Sequence, residues 1–149
     1  MTVQFLINNK DADAADGATF DRIDPVTGDV ASTAAAASVA DVQTVAEAAH
    51  AAFPAWAAMG PSQRRKLLNA AADIMDSKSD AFIATMIAET GSTGPWAGFN
   101  VMLAAGVIRE AAAMTTQIGG EVIPANKPGT LAMGVPRPKG VCLGIAPWN

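Results

Sequence analysis

One cysteine in 149 residues excludes an internal disulfide. No signal peptide opens the chain, so a reducing cytoplasm is the expected compartment. Charge is scarce: Lys, Arg, Asp and Glu make up 16% of the residues, and the net charge is −4. That acidic balance disfavours nucleic acid or an anionic membrane as partner. Gly91 to Ile108 carries no charge at all. Gly, Pro, Ser, Thr and Asn interrupt the run and its front half breaks helix, so it is not read as a transmembrane span. Internal repeats and low-complexity tracts are absent, Ala34 to Ala37 being only a short alanine run. The glycine-rich G-x-G-x-x-G turn that holds a dinucleotide is missing too. Hydrophobic residues, by contrast, make up half of the chain, which argues against disorder and suffices for one ordinary domain.

Taken in order, Val3 to Asn8 reads as a short strand, and Asn9 to Gly17 as a polar loop. Thr19 to Ile23 leads into Asp24-Pro25-Val26-Thr27-Gly28, a turn in which Pro25 presets φ and Gly28 permits a left-handed exit. Val30 to Thr33 is the returning strand. Ser38 begins a helix as its cap, with Val42, Val45, Ala49, Ala52 and Phe53 at helical spacing and Pro54 ending or kinking it. His50 on this helix has no evident partner and is expected at the surface. A second helix starts near Pro61-Ser62, with Leu67, Leu68, Ala71, Ile74 and Met75 inward. Arg64, Arg65 and Lys66 on it read better as a solvated face than as a phosphate site. A third helix runs from Asp80 to Glu89, with Phe82, Ile83, Met86 and Ile87 inward and Gly91 as its C-cap. Trp96 to Met114 reads as a fourth. Glu121 to Arg137 reads as two strands around a turn at Asn126-Lys127-Pro128-Gly129, with Pro136 and Pro138 suited to an edge or exit.

The last ten residues carry the chemistry. Val141, Cys142, Leu143, Ile145 and Ala146 form an apolar run without alternation, the pattern of a strand covered on both faces in a parallel sheet. Pro147 ends it, and Trp148 and Asn149 emerge at its carboxyl end, where open α/β sheets bind ligands. An asparagine amide donates hydrogen bonds and does not titrate, so it can meet an oxyanion as one forms. Burial in that strand would raise the thiol pKa of Cys142 and leave it inert, so it is not read as a nucleophile.

Pro138 to Asn149 resembles the strand and Pro-Trp-Asn turn of the NAD(P)-dependent aldehyde dehydrogenases. Asp24-Pro25-Val26-Thr27-Gly28-Asp29-Val30 and Gly120-Glu121-Val122-Ile123-Pro124 match the same family in the same order. Glu89-Thr90-Gly91-Ser92 departs from the family's usual Glu-Thr-Gly-Lys. The resemblance implies an α/β fold: the amino-terminal part of a Rossmann-type cofactor domain, with helices, an N-terminal hairpin and an oligomerisation β-arm. Residues 1–118 would be cofactor-domain structure, 119–138 the arm joining subunits of a homodimer or homotetramer, and 139–149 the first strand of the Rossmann-type sheet.

In that family a cysteine thiolate attacks the aldehyde, hydride leaves to the cofactor, and an activated water hydrolyses the thioester. Asn149 matches the oxyanion-stabilising asparagine. Ile145, Ala146, Pro147, Trp148 and Asn149 match the wall against which the cofactor's ribose and nicotinamide lie. Trp96, Phe99, Leu103 and Val107 or Ile108 lie on a helix that lines the aldehyde tunnel in the family, and either build an apolar wall for a flat substrate or merely pack the core. The nucleophilic cysteine and general-base glutamate of the family lie beyond such a point, so these residues are expected to be inactive alone.

Trp96-Ala97-Gly98-Phe99-Asn100 and Gly129-Thr130-Leu131-Ala132-Met133 resemble the aromatic subgroup, the salicylaldehyde and vanillin dehydrogenases. The expected ligands are therefore an aromatic aldehyde and NAD, with NADP as the alternative, and no metal. The competing reading is a non-catalytic helical assembly module.

Overall fold

The computed structural model describes residues 2–146. The N-terminal strand divides into β1 (Thr2–Val3) and β2 (Phe5–Ile7), and a further strand, β3 (Lys10–Ala12), pairs antiparallel with β2. Lys10-Asp11-Ala12 carries no strand signal and was expected as loop. The preceding turn forms it: Asn8 and Asn9 have φ of 52° and 59°, the left-handed pair of a two-residue hairpin turn that asparagine tolerates. β4 (Thr19–Ile23) and β5 (Val30–Ala35) are the expected hairpin, and β1 adds parallel to the other edge of β5. In their turn Gly28 N–H donates to Asp24 O at 2.9 Å, Val26 N–H donates to Asp24 Oδ1 at 2.7 Å, and Gly28 has φ 80°.

Ser38 caps α1 (Val39–Ala58) through a capping box. Its hydroxyl accepts from Asp41 N–H at 3.3 Å, and Asp41 Oδ2 accepts from Ser38 N–H at 2.8 Å. Asp41 Oδ1 also accepts from Ala15 N–H at 3.0 Å, tying the β3–β4 connection to the helix start. Pro54 does not end this helix, which continues to Ala58. Its missing N–H removes a single rung, the one to the carbonyl four residues back, and the helix resumes beyond it.

α2 (Pro61–Ser77), α3 (Ser79–Thr90) and α4 (Gly94–Met114) follow. Gly91, at φ 67°, is the left-handed cap of α3. α4 packs chiefly on α2 and also on α3, whereas α1 has only slight contact with the other elements. The buried positions are small: Ala72 on α2 and Ala97, Val101, Ala105 and Ala112 on α4. Of the side chains expected inward, Leu67, Ile74, Phe82 and Ile87 are exposed. Large apolar periodicity marked a helix but not the face that packs. Alanine packs there because it lets two helices close without interleaving long side chains.

Two arginines tie α4 down. Arg65 Nε donates to Ala112 O at 3.1 Å, and its Nη2 donates to Ala113 O at 3.0 Å and Thr116 Oγ1 at 2.6 Å. It therefore caps the carbonyl end of α4 rather than forming part of a solvated face. Arg109 Nη2 bridges Asp76 at 2.6 Å and Asp73 at 2.8 Å, and these two carboxylates raise its guanidinium above the ordinary arginine range. By length and composition α4 could cross a bilayer (mean hydropathy 1.2), with 22% of the apolar stretch buried within the fold.

β6 (Glu121–Ile123) and β7 (Ala132–Gly134) form the second expected hairpin. The strand expected at Val141–Ala146 is not formed: these residues carry no ladder, and Leu143 and Ile145 are 86% and 83% exposed. A two-face-buried parallel strand needs a neighbour on each side, and none of the described strands lies beside it. Cys142 is correspondingly exposed, not buried, its thiol 3.7 Å from Gly140 O. The accessible surface is 10948 Å², against about 7,100 Å² for a compact monomer of 15.1 kDa. Much apolar surface is thus left uncovered by the chain itself.

Candidate functional site

α4 begins at Thr93-Gly94-Pro95, with proline in the first turn where its missing N–H costs nothing. At 100° per residue, Ala97, Val101, Ala105 and Ala112 fall on one side, toward α2 and α3. Trp96, Phe99, Leu103 and Val107 fall on the opposite side, and all four are exposed. Ile108 is half-buried and belongs to the packing side, so the structure does not bring it together with the other four. The Trp96 and Phe99 rings stack with centroids 5.4 Å apart and planes 26° from parallel. Asn100 Nδ2 donates to Trp96 O at 2.8 Å. The aromatic pair is thus presented on a rigid helix whose other side is fixed by small-residue packing and by Arg65 and Arg109.

Of the residues expected at the cofactor, Ile145 and Ala146 are exposed. Pro147, Trp148 and Asn149 lie outside the described residues. Ile145 and Ala146 present uncovered apolar surface. They bring no charge to a phosphate.

Glu89 was not singled out for any role, yet it joins three elements. Its Oε2 pairs with Arg22 Nε at 2.8 Å, and its Oε1 accepts from Ser32 Oγ at 2.6 Å. The partners sit 57 and more residues away in sequence, and no local pattern marks such a link. Asp41 is held below the ordinary carboxylate value, chiefly by the Ser38 hydroxyl and then by the Ser38 and Ala15 N–H groups, against the opposing effect of burial. Both clusters brace the scaffold, and neither includes a residue of the aromatic face of α4.

Among the described residues, two antiparallel hairpins, four helices, a third hairpin and an apolar segment in this order define an α/β chain. The match to known proteins narrows it: the aldehyde dehydrogenase family model covers residues 12–149. The chain belongs to the aldehyde dehydrogenase family.

Among similar proteins, a vanillin dehydrogenase from a Pseudomonas species is 56% identical over 147 residues, covering 99% of this chain and 30% of the relative. A crystal structure of a salicylaldehyde dehydrogenase from Pseudomonas putida, complexed with salicylaldehyde, superposes with TM-score 0.89 at 46% identity, covering 93% of this chain and 28% of that one. An NAD-dependent benzaldehyde dehydrogenase from Corynebacterium glutamicum superposes with TM-score 0.80 at 27% identity, covering 87% of this chain and 28% of that one. The chain spans about 30% of the length of the curated relatives it matches.

Proposed function

We propose that the chain is the amino-terminal portion of an NAD(P)-dependent aldehyde dehydrogenase that oxidises an aromatic aldehyde. The reaction takes the aldehyde, water and the oxidised cofactor to the carboxylate, the reduced cofactor and protons. NAD is the preferred cofactor in this reading, with NADP the alternative. When bound, it accepts the hydride. Ile145, Ala146, Pro147 and Trp148 are the wall against which its ribose and nicotinamide rest. Asn149 donates its amide N–H to the oxygen that turns negative as the carbonyl is attacked. Residues 139–149 become a strand once sheet neighbours flank them, and Cys142 takes no part in the chemistry.

The observation that carries the aromatic substrate class is the stacked, outward-facing Trp96–Phe99 pair. Leu103 and Val107 continue the same apolar wall, while Ile108 lies on the other side of α4. A flat ring gains both area burial and stacking on such a surface. The close similarity to enzymes named for vanillin and salicylaldehyde supports the same class. In this reading the exposed side of α4 meets protein and substrate rather than lipid. Residues 119–138 act as an arm that adds strands across subunits of a homodimer or homotetramer, a use suited to the uncovered edges of β6 and β7. The single cysteine agrees with a cytoplasmic setting.

The test is an assay of the full-length enzyme with NAD and NADP against benzaldehyde-type and short aliphatic aldehydes. Aldehyde-dependent formation of reduced cofactor, fastest with aromatic substrates, is expected. Absence of any such reduction would overturn the proposal.

A further inference from the structure

Arg22 on β4 and Ser32 on β5 are direct partners across the hairpin, so their side chains leave the same face of the sheet. Both reach one carboxylate, that of Glu89 in the last turn of α3. Arg22 Nε pairs with Oε2 at 2.8 Å, and Ser32 Oγ donates to Oε1 at 2.6 Å. The Glu89 side chain is only 15% exposed, so the pair is better shielded from water and salt than an ordinary surface ion pair. With both oxygens engaged by neighbouring strands, the carboxylate is held in place and in rotation. Gly91, two residues on, lies close against Pro25 and Val26 of the hairpin turn.

This grip is passed on to α4. Only residues 91–93 separate the two helices, a connection with little slack. Gly91 N–H closes α3 on Ile87 O at 2.9 Å, and Ala97 N–H opens α4 on Thr93 O at 2.9 Å. Among the described residues, no side-chain hydrogen bond caps the start of α4. The end of α3 therefore decides where α4 sets out. A Cβ on Gly98 would stand 3.7 Å from Ile83 Cδ1, so the two helices also touch next to that first turn. Trp96 lies in the first turn, and Phe99 stacks on it.

We propose that Glu89 is a positioning residue for the aromatic face of α4: the β4–β5 hairpin grips it, and through the end of α3 it aims Trp96 and Phe99. The inference rests on the dehydrogenase reading and adds to it a determinant of substrate preference remote from the substrate. Glu89 meets no reacting atom. Its loss frees the end of α3 and tilts the start of α4, so ring-shaped substrates lose their stacking face while the chemical step is left intact.

Steady-state kinetics of the full-length enzyme with benzaldehyde and propanal tests the proposal. Glu89→Ala should raise KM for benzaldehyde by about three- to tenfold, with kcat and the KM for propanal held within about twofold. Glu89→Gln, which keeps an acceptor for Ser32 and loses the charge, should recover part of the loss. In a Trp96→Ala background, Glu89→Ala should bring no further rise, because the face it aims is already gone. Ser32→Ala removes one bond and leaves the ion pair, so it reads the same shift in milder form even if Glu89→Ala folds poorly. A merely structural brace would lower thermal stability and leave the ratio of the two KM values unchanged. An unchanged KM for benzaldehyde in Glu89→Ala, or in Ser32→Ala where the first variant does not fold, would overturn the inference. An equal rise for both aldehydes, or a full additive effect on top of Trp96→Ala, would overturn it as well. A parent enzyme without aldehyde-dependent cofactor reduction would defeat the dehydrogenase reading and this inference together, whereas an active parent with an unmoved preference in the variants defeats this inference alone.

Discussion

Gly91 and Pro25 touch across the fold. A methyl group in place of the Gly91 hydrogen would stand 2.9 Å from Pro25 Cγ and 3.1 Å from Val26 Cγ2. The left-handed end of α3 therefore seats the β4–β5 turn, and the Arg22–Glu89 pair and the Ser32–Glu89 bond fasten the same joint. We predict that Gly91→Ala destabilises the protein by about 1–3 kcal/mol, from the positive φ and the crowded turn together. Urea unfolding measures it, and wild-type stability in the variant would show that the joint gives way freely.

Arg65 closes the carbonyl end of α4 with three hydrogen bonds. Arg65→Ala should cost about 1–3 kcal/mol, since it strands carbonyls that the guanidinium now satisfies. Arg65→Lys should recover only part of that, because a lysine lacks the planar fork. Full recovery in a denaturant titration would mean that charge alone matters at this position.

Acid should act at the start of α1. Asp41 has a lowered carboxylate pKa, so its contribution to stability is complete above its unfolded value and is lost as pH falls through the lower folded value. Ser38→Ala removes the largest cause of that lowering. Its stability deficit relative to wild type should therefore shrink between neutral pH and about pH 3. Thermal unfolding at both pH values reads the deficit, and a gap that stays constant would separate the cap from the carboxylate's charge.

In the full-length enzyme, Trp96→Ala should raise KM for benzaldehyde-type substrates more than for short aliphatic ones, since the stacked pair with Phe99 offers a ring-sized face. Steady-state kinetics with both classes makes the comparison. Equal changes would assign Trp96 to packing alone.

Asn149 lies outside the described residues, and its proposed role rests on the Pro-Trp-Asn resemblance. Asn149→Ala in the full-length enzyme should lower kcat by about 10²–10³-fold while leaving cofactor affinity little changed. Asn149→Asp should be worse, because it sets a negative charge beside a forming one. A near-wild-type kcat in the alanine variant would remove the residue from the mechanism.

The sequence made the helices legible because their punctuation is local. Ser38 with Asp41, Pro61, Gly91 and Pro95 mark starts and stops within one turn of where they occur. The β4–β5 and β6–β7 hairpins were legible from Gly28 and from the prolines around 124–128. β3 was not, because Lys10-Asp11-Ala12 is recruited by its partner rather than by its own residues. The packing faces were misjudged where Leu67 and Ile74 seemed the natural inward residues. α4 is apolar on both sides, so size, not hydropathy, decides which side closes against α2. Of the candidate site, the aromatic face of α4 was visible as a spacing. Its outward direction, and the separation of Ile108 from it, required the packing of Ala97 and Ala105. The 141–146 segment failed for a different reason: a central strand is a property of a whole sheet, and these residues supply only one member.

The alanine seam along which α4 packs on α2 and α3 bears on the proposed aromatic-substrate face. Ala72, Ala97, Ala105 and Ala112 have almost no surface left to give, so a longer side chain at any of them must lever α4 outward. Trp96 and Phe99 ride on that same rod and would be re-aimed with it. Diversification confined to the aromatic face of α4 would overlook this hidden adjusting screw, whose thread is cut on the far side of the helix.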